Sequence, residues 1–131
     1  MKPPARVLLV EDDAILALAL EDALTRAGTR DVVVCQTMKA TMRELHDGPR
    51  PDAIVLDVHL ADRDDGWAIA ELVTALGPRP PRIAFSTGSP EDIPTDIAEM
   101  GVTFEKPYDP DELVKALCMR DKASPFALLK R

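Results

Sequence analysis

Three carboxylates, Glu11, Asp12 and Asp57, each stand at or near the C-terminal end of an apolar run. Glu11 and Asp12 close Val7-Leu8-Leu9-Val10, and Asp57 closes Ala53-Ile54-Val55-Leu56. If these runs are neighbouring parallel strands, the three acids converge at one edge of a sheet. Carboxylates packed that closely repel and raise one another's pKa, so the cluster persists most readily around a cation. A Thr87-Gly88 pair and Lys106, just ahead of Pro107, each follow a further apolar run. Acids, hydroxyl and ammonium at one edge suggest a phosphoryl-accepting site that uses a metal.

Only certain scaffolds bring such positions together. Short apolar runs alternate with helical patterns five times along the chain. Strands are expected at Arg6 to Val10, Asp31 to Cys35, Asp52 to Leu56, Ile83 to Phe85 and Val102 to Phe104. A helix from Ala14 to Ala27 stops at Gly28, and one from Met38 to Leu45 closes at Asp47-Gly48-Pro49. Further helices are expected at Gly66 to Leu76, Glu91 to Met100, and from Asp109-Pro110-Asp111-Glu112 to about Arg120. The last has Pro in its first turn and acids at the positive end of its dipole. Pro94 interrupts the fourth helix, where an internal proline costs roughly 3 kcal/mol. That helix is therefore expected to begin at Pro94, with residues 90–93 as an irregular lead, short or mobile. Strands joined by crossover helices imply a parallel sheet covered on both faces. Ligands of such sheets bind beyond the strand C-termini, where the acids, Thr87 and Lys106 all lie.

At 131 residues the chain suits a single domain, and its 46% hydrophobic content argues for a packed core. A net charge of -7 disfavours binding to nucleic acid, which needs basic surface. Cys35 and Cys118 lie in apolar surroundings without metal-type spacing, as two buried thiols of a reducing compartment would. No apolar run approaches a membrane span or a signal peptide, so a cytoplasmic location is expected.

Four motifs, Val10-Glu11-Asp12-Asp13, Leu56-Asp57, Ser86-Thr87-Gly88 and Glu105-Lys106-Pro107, follow four strands in order. Over roughly residues 5 to 120 the chain resembles the receiver domain of two-component response regulators. No single motif is specific; the four together are. The resemblance implies an α/β fold, a doubly wound (βα)5 flavodoxin-like sandwich with a parallel sheet of strand order 2-1-3-4-5. It implies a receiver over residues 1–122 and a tail over 123–131, with no effector domain. Asp57 would be the phosphoacceptor, its carboxylate attacking phosphorus to form an acyl phosphate. Asp12, Asp57 and the backbone carbonyl of His59 would hold Mg2+, with Mn2+ as an alternative, and Glu11 would hold one of its waters. Lys106 would pair with Asp57 and then with the phosphoryl oxygens. Thr87 and the Gly88 amide would bind another phosphoryl oxygen. The Lys106-Pro107 bond is often cis in this family. Implied partners are a sensor histidine kinase or histidine phosphotransferase and a downstream protein target, with the chain a monomer or weak dimer. Nucleic acid and membrane are not expected partners.

Ordinary roles compete at several positions. Asp13 is expected to cap the first helix. Ser86 competes with Thr87 for the hydroxyl role and ranks below it. The His59 side chain is expected on the rim, and His46 on the surface at a helix end. The Phe85-Ser86-Thr87-Gly88 stretch is similar to the Phe-Ala-Thr-Gly motif of the FAT GUY subgroup. Thr103 stands where most receivers have an aromatic residue, and alternation sends Phe104 to the opposite face, into the core. Ala61 replaces a common Pro, and Asp62-Arg63-Asp64-Asp65 reads as a solvated loop. The first helix opens with seven uncharged residues, Ala14 to Leu20, more than one buried stripe needs. Partner contact and neutral surface alanines explain that excess equally well. Phe126-Ala127-Leu128-Leu129 reads as a disordered tail end.

The expected activity is thus phosphoryl transfer to Asp57 within a phosphorelay, with output through changed protein affinity. The chain would be an enzyme only toward itself. One alternative is a Mg2+-dependent aspartyl-phosphate phosphatase, but position 59 is His where such enzymes carry an acid. Another is a phospho-independent interaction module, against which the intact acid, Thr and Lys set argues.

Overall fold

The central strands carry no polar face. Residues 7–10 and 53–56 are wholly buried, as strands covered on both sides must be. The computed structural model describes residues 2–75 and 77–118. In chain order its elements are β1 (Arg6–Val10), α1 (Ala14–Ala27), β2 (Asp31–Cys35), α2 (Met38–Asp47), β3 (Ala53–Asp57), α3 (Ala68–Ala75), β4 (Arg82–Thr87), a 3₁₀ turn (Pro90–Asp92), α4 (Thr95–Ala98), β5 (Val102–Glu105) and α5 (Pro110–Leu117). All pairings are parallel and the strand order is β2-β1-β3-β4-β5. This is the flavodoxin-like α/β architecture that the sequence implies.

Strand alternation divides the core into two layers. Leu8, Val10, Ile54, Leu56, Ile83 and Phe85 pack under α2, α3 and α4. Val7, Leu9, Val55 and Ala84 pack under Leu20 and Leu24 of α1 and Leu113 and Leu117 of α5. Caps fix the helix ends. The Asp13 carboxylate accepts from the Ile15 and Leu16 amides, and Gly28 ends α1 in the left-handed region at φ 110°.

Several boundaries differ from expectation for local reasons. The chain approaches α3 through tight turns, with Ala68 N–H bonded to Asp65 and Ile69 N–H to Gly66, so the helix begins two residues later than expected. Its expected end at Leu76 lies outside the described residues. α2 continues to Asp47, and the N–H of Gly48 closes it on the Glu44 carbonyl. β4 runs through Ser86 and Thr87, because both pair with β5. Pro94 acts as expected: it is the N-cap of α4, a helix of a single turn. The lead ahead of it is a 3₁₀ turn rather than irregular chain. Cys35 is buried as expected, whereas Cys118 is only half-buried, and both thiols are free. α5 ends at Leu117 rather than at the expected Arg120, because Cys118 turns to extended backbone as its C-cap and its N–H closes on the Val114 and Lys115 carbonyls. The tail over 123–131 lies outside the described residues. Among the described residues, no helix is long and apolar enough to cross a membrane.

Candidate functional site

The register of the sheet brings the acids together. Val10 lies opposite Leu56, so Glu11, Asp12 and Asp57 emerge at the same edge. Their carboxylate oxygens lie within 4.8 Å of one another. Glu11 and Asp57 are buried and Asp12 is exposed. The Lys106 ammonium, from the end of β5, sits 3.0 Å from Glu11 Oε1 and 3.3 Å from Asp57 Oδ2. The peptide bond to Pro107 is cis.

The electrostatics follow from this crowding. Burial, and then Asp57, push Glu11 up to about 8, with Lys106 opposing. Burial works against the Lys106 charge, but Glu11 and Asp57 outweigh it and its pKa rises. Glu11 Oε1 is buried with no hydrogen bond of acceptable geometry, despite the nearby ammonium. Even with Glu11 protonated, two further carboxylates against one ammonium leave excess negative charge. Hard oxygen donors, an orphaned buried acceptor and uncompensated charge fit a divalent cation such as Mg2+.

Thr87 and Ser86 point opposite ways. Alternation places Thr87 on the face of Phe85 and Ser86 on that of Ala84. Thr87 is buried, and its Oγ1 accepts from the Ser89 amide at 2.9 Å. The space beside Gly88 is open, with nothing within 4 Å of where a Cβ would stand. Ser86, the competing hydroxyl, is engaged instead with the Tyr108 phenol at 2.6 Å.

On the rim, the His59 amide donates to Asp57 Oδ1 at 3.2 Å and so orients that carboxylate. The His59 ring reaches Asp92 at 2.8 Å and lies 3.4 Å from Asp64. The Asp92 hydrogen bond raises its pKa, against burial, with Asp64 adding to the rise. This is the rim position expected for it. His46 is exposed in the last turn of α2, also as expected. Thr103 is exposed, and Phe104 packs half-buried against the α1–α5 layer.

The loop after Asp57 is more than solvated chain. Asp62 reaches across to cap α2, accepting from the Met38 amide at 2.8 Å and the Lys39 amide at 3.2 Å. Those bonds, Met38's first, hold its carboxyl below the usual range. Arg63 pairs with Asp65 in the same loop. Three site residues escaped the sequence reading: Asp62, Tyr108 and Gly66. The Gly66 backbone lies against Asp57, and its N–H donates to the Val58 carbonyl at 2.9 Å. The position of Tyr108, two residues after Lys106, was the one available signal.

On α1, Ile15 and Leu18 are 83% and 67% exposed, while Ala17 is buried. The uncharged opening of the helix therefore carries an apolar surface beyond its alanines.

The response regulator receiver domain, as a family, matches residues 7–118. The chain belongs to that family. It is similar to the uncharacterized transcriptional regulatory protein YbdJ of Bacillus subtilis (strain 168), 30% identical over 110 residues. That match covers 83% of this chain and 47% of YbdJ, so the chain spans about half the length of this curated relative. Among solved structures it is similar to a CheY-like response regulator receiver domain from Methylobacillus flagellatus. There the identity is 21%, the TM-score 0.68, and the coverage 86% of this chain and 91% of the other. It is similar as well to a double mutant of the anti-anti-sigma factor PhyR from Bartonella quintana. That match has 26% identity and a TM-score of 0.68, covering 89% of this chain and 47% of PhyR.

Proposed function

We propose that the chain accepts a phosphoryl group on Asp57 from a phosphohistidine donor, and that the product changes its affinity for a protein partner. The observation that carries this reading is the acid cluster with its single ammonium. Asp57 and Glu11 lie 3.3 and 3.0 Å from Lys106 at the C-terminal edge of a receiver-family sheet. In the proposed step an Asp57 oxygen attacks phosphorus while the P–N bond to the donor imidazole breaks. The acyl phosphate forms and the imidazole leaves, taking a proton from solvent. Lys106, held between Glu11 and Asp57, moves onto the phosphoryl oxygens as negative charge gathers there. The Thr87 hydroxyl and Gly88 amide receive another of those oxygens, and the open space at Gly88 supports this.

Asp12, Asp57, Glu11 and the His59 carbonyl are the groups that would hold Mg2+, or Mn2+ in its place. When bound, the ion supplies positive charge beside the phosphoryl oxygens. The chain turns over no other substrate in this reading; it promotes only its own phosphorylation and dephosphorylation. Partners are a sensor histidine kinase or histidine phosphotransferase upstream and a protein target downstream. Exposed Ile15 and Leu18, on the helix that follows Glu11 and Asp12, support docking of the phosphodonor there. Phe85-Ser86-Thr87-Gly88 and the non-aromatic Thr103 support a place in the FAT GUY subgroup. The free thiols accord with a cytoplasmic location.

Incubation with a phosphorylated histidine phosphotransferase and Mg2+ tests the reading. Wild type should take up the label and Asp57→Asn should not. Equal labelling of both, or of neither, overturns it.

A further inference from the structure

Ser86 is fully buried in β4, so its hydroxyl must find a partner inside the protein. Tyr108 supplies it, with the phenol oxygen 2.6 Å away. Both ends of this bond border the acid cluster. Sheet register sets Ser86 opposite Asp57 on β3 and Phe104 on β5. Tyr108 comes directly after Lys106-Pro107 and directly before Asp109, the N-cap of α5. Its half-buried ring leans on Phe104, with centroids 5.7 Å apart at 55°.

The turn carrying Lys106 is therefore fastened at two points. At its start, the Lys106 N–H donates to the Thr87 carbonyl at 2.8 Å. At its end, the Tyr108 hydroxyl is tied to Ser86. A lysine side chain is a flexible four-carbon stem, and this one is 27% exposed. Its ammonium stays over Asp57 only if the backbone beneath it does not swing toward α5. Among the described residues, Tyr108 provides the hydroxyl bond that resists such a swing.

We infer that the Ser86–Tyr108 hydroxyl pair positions the Lys106 ammonium against Asp57 for phosphoryl transfer. Tyr108 touches neither the phosphoryl group nor the reacting oxygen, so it is a positioning residue. The inference rests on the reading of Asp57 as the acceptor. It gives this chain a specific use for Ser86 and for the tyrosine that follows the Lys-Pro pair.

Tyr108→Phe, Ser86→Ala and the double variant test it, with acetyl phosphate and saturating Mg2+ as the phosphodonor system. Each single variant should slow phosphorylation about fivefold, the rate equivalent of one net hydrogen bond. The double variant should be no slower than either single, because the pair acts as one unit. It should regain thermal stability, since no hydroxyl is then buried unpaired, yet its rate should stay low. A double variant that recovers rate together with stability would make the pair merely structural and overturn the inference. Unchanged rates in both singles would do the same. A second readout needs no phosphoryl group: the side-chain ammonium resonance of 15N-labelled Lys106, assigned with Lys106→Arg. It should be present in wild type and broadened away in Tyr108→Phe. Its persistence in Tyr108→Phe overturns the inference. If wild type takes nothing from acetyl phosphate, the reading of Asp57 fails, and the ammonium signal still decides the positioning role.

Discussion

Gly66→Ala adds one methyl group at the point where the loop leaving β3 folds back on Asp57. A Cβ there would stand 2.3 Å from the Asp57 carbonyl oxygen and 2.9 Å from that of Val58. Both obstacles are backbone, so no side chain can rotate out of the way. Ordinary contact begins at 3.4 Å, and reaching it requires a displacement of about 1 Å between the loop and Asp57. Overpacking of this kind costs about 1–3 kcal/mol, which in a domain of this size lowers the melting temperature by about 4–10 °C. A misplacement near 1 Å at a reacting group costs on the order of 100-fold in rate. Gly66→Ala should therefore melt earlier and take a phosphoryl group from acetyl phosphate roughly 100-fold more slowly, as followed by intact mass. Gly88→Ala is the control. Nothing lies within 4 Å of its Cβ, and its stability should stay within about 0.5 kcal/mol of wild type. A Gly66→Ala protein with wild-type melting and wild-type labelling would refute the packing argument.

Other outcomes follow from the same geometry. Glu11 moves from 4.5 to about 8 on folding, so between those values the folded chain holds more protons than the unfolded one. Stability of the metal-free protein should then fall as pH rises from about 5 to 8. Glu11→Gln should flatten that slope in thermal melts; an unchanged slope in the variant would count against the shift. Asp13→Ala removes the cap of α1 and should cost about 1 kcal/mol in denaturant unfolding, with phosphorylation by acetyl phosphate retained. Ile15→Glu and Leu18→Glu should impair phosphotransfer from the protein donor by tenfold or more, in the manner of truncated interface anchors. Labelling by acetyl phosphate should be unaffected in both, and parallel losses with the two donors would place the defect in folding instead. The same charge at Ala17 would be a core substitution, because that residue is buried.

What could be read from the sequence was whatever local pattern controls. Apolar runs ending in acids located β1 and β3, Gly28 ended α1, and Pro94 set the start of α4. The convergence of Glu11, Asp12 and Asp57 followed from one further step, that neighbouring parallel strands end at the same edge. What escaped notice depends on contacts distant in sequence. Asp62 caps a helix that begins 24 residues earlier. Gly66 is constrained by the Asp57 carbonyl, and no local propensity encodes that approach. Ser86 is bonded to Tyr108, 22 residues on. Ser86 and Thr87 are polar and read as lying beyond β4, yet pairing with β5 keeps both in the sheet. On α1 the apolar excess was visible, but which residues face outward depended on how the helix sits against α5.

The central claim is that Asp57 carries the phosphoryl group. After incubation with acetyl phosphate and Mg2+, borohydride reduces an acyl phosphate to an alcohol, leaving homoserine in place of the aspartate. Peptide mass spectrometry then reports which residue was converted. Homoserine is expected at position 57, and none when Mg2+ is withheld. Homoserine at Asp12, at Asp13 or nowhere in the chain would contradict it.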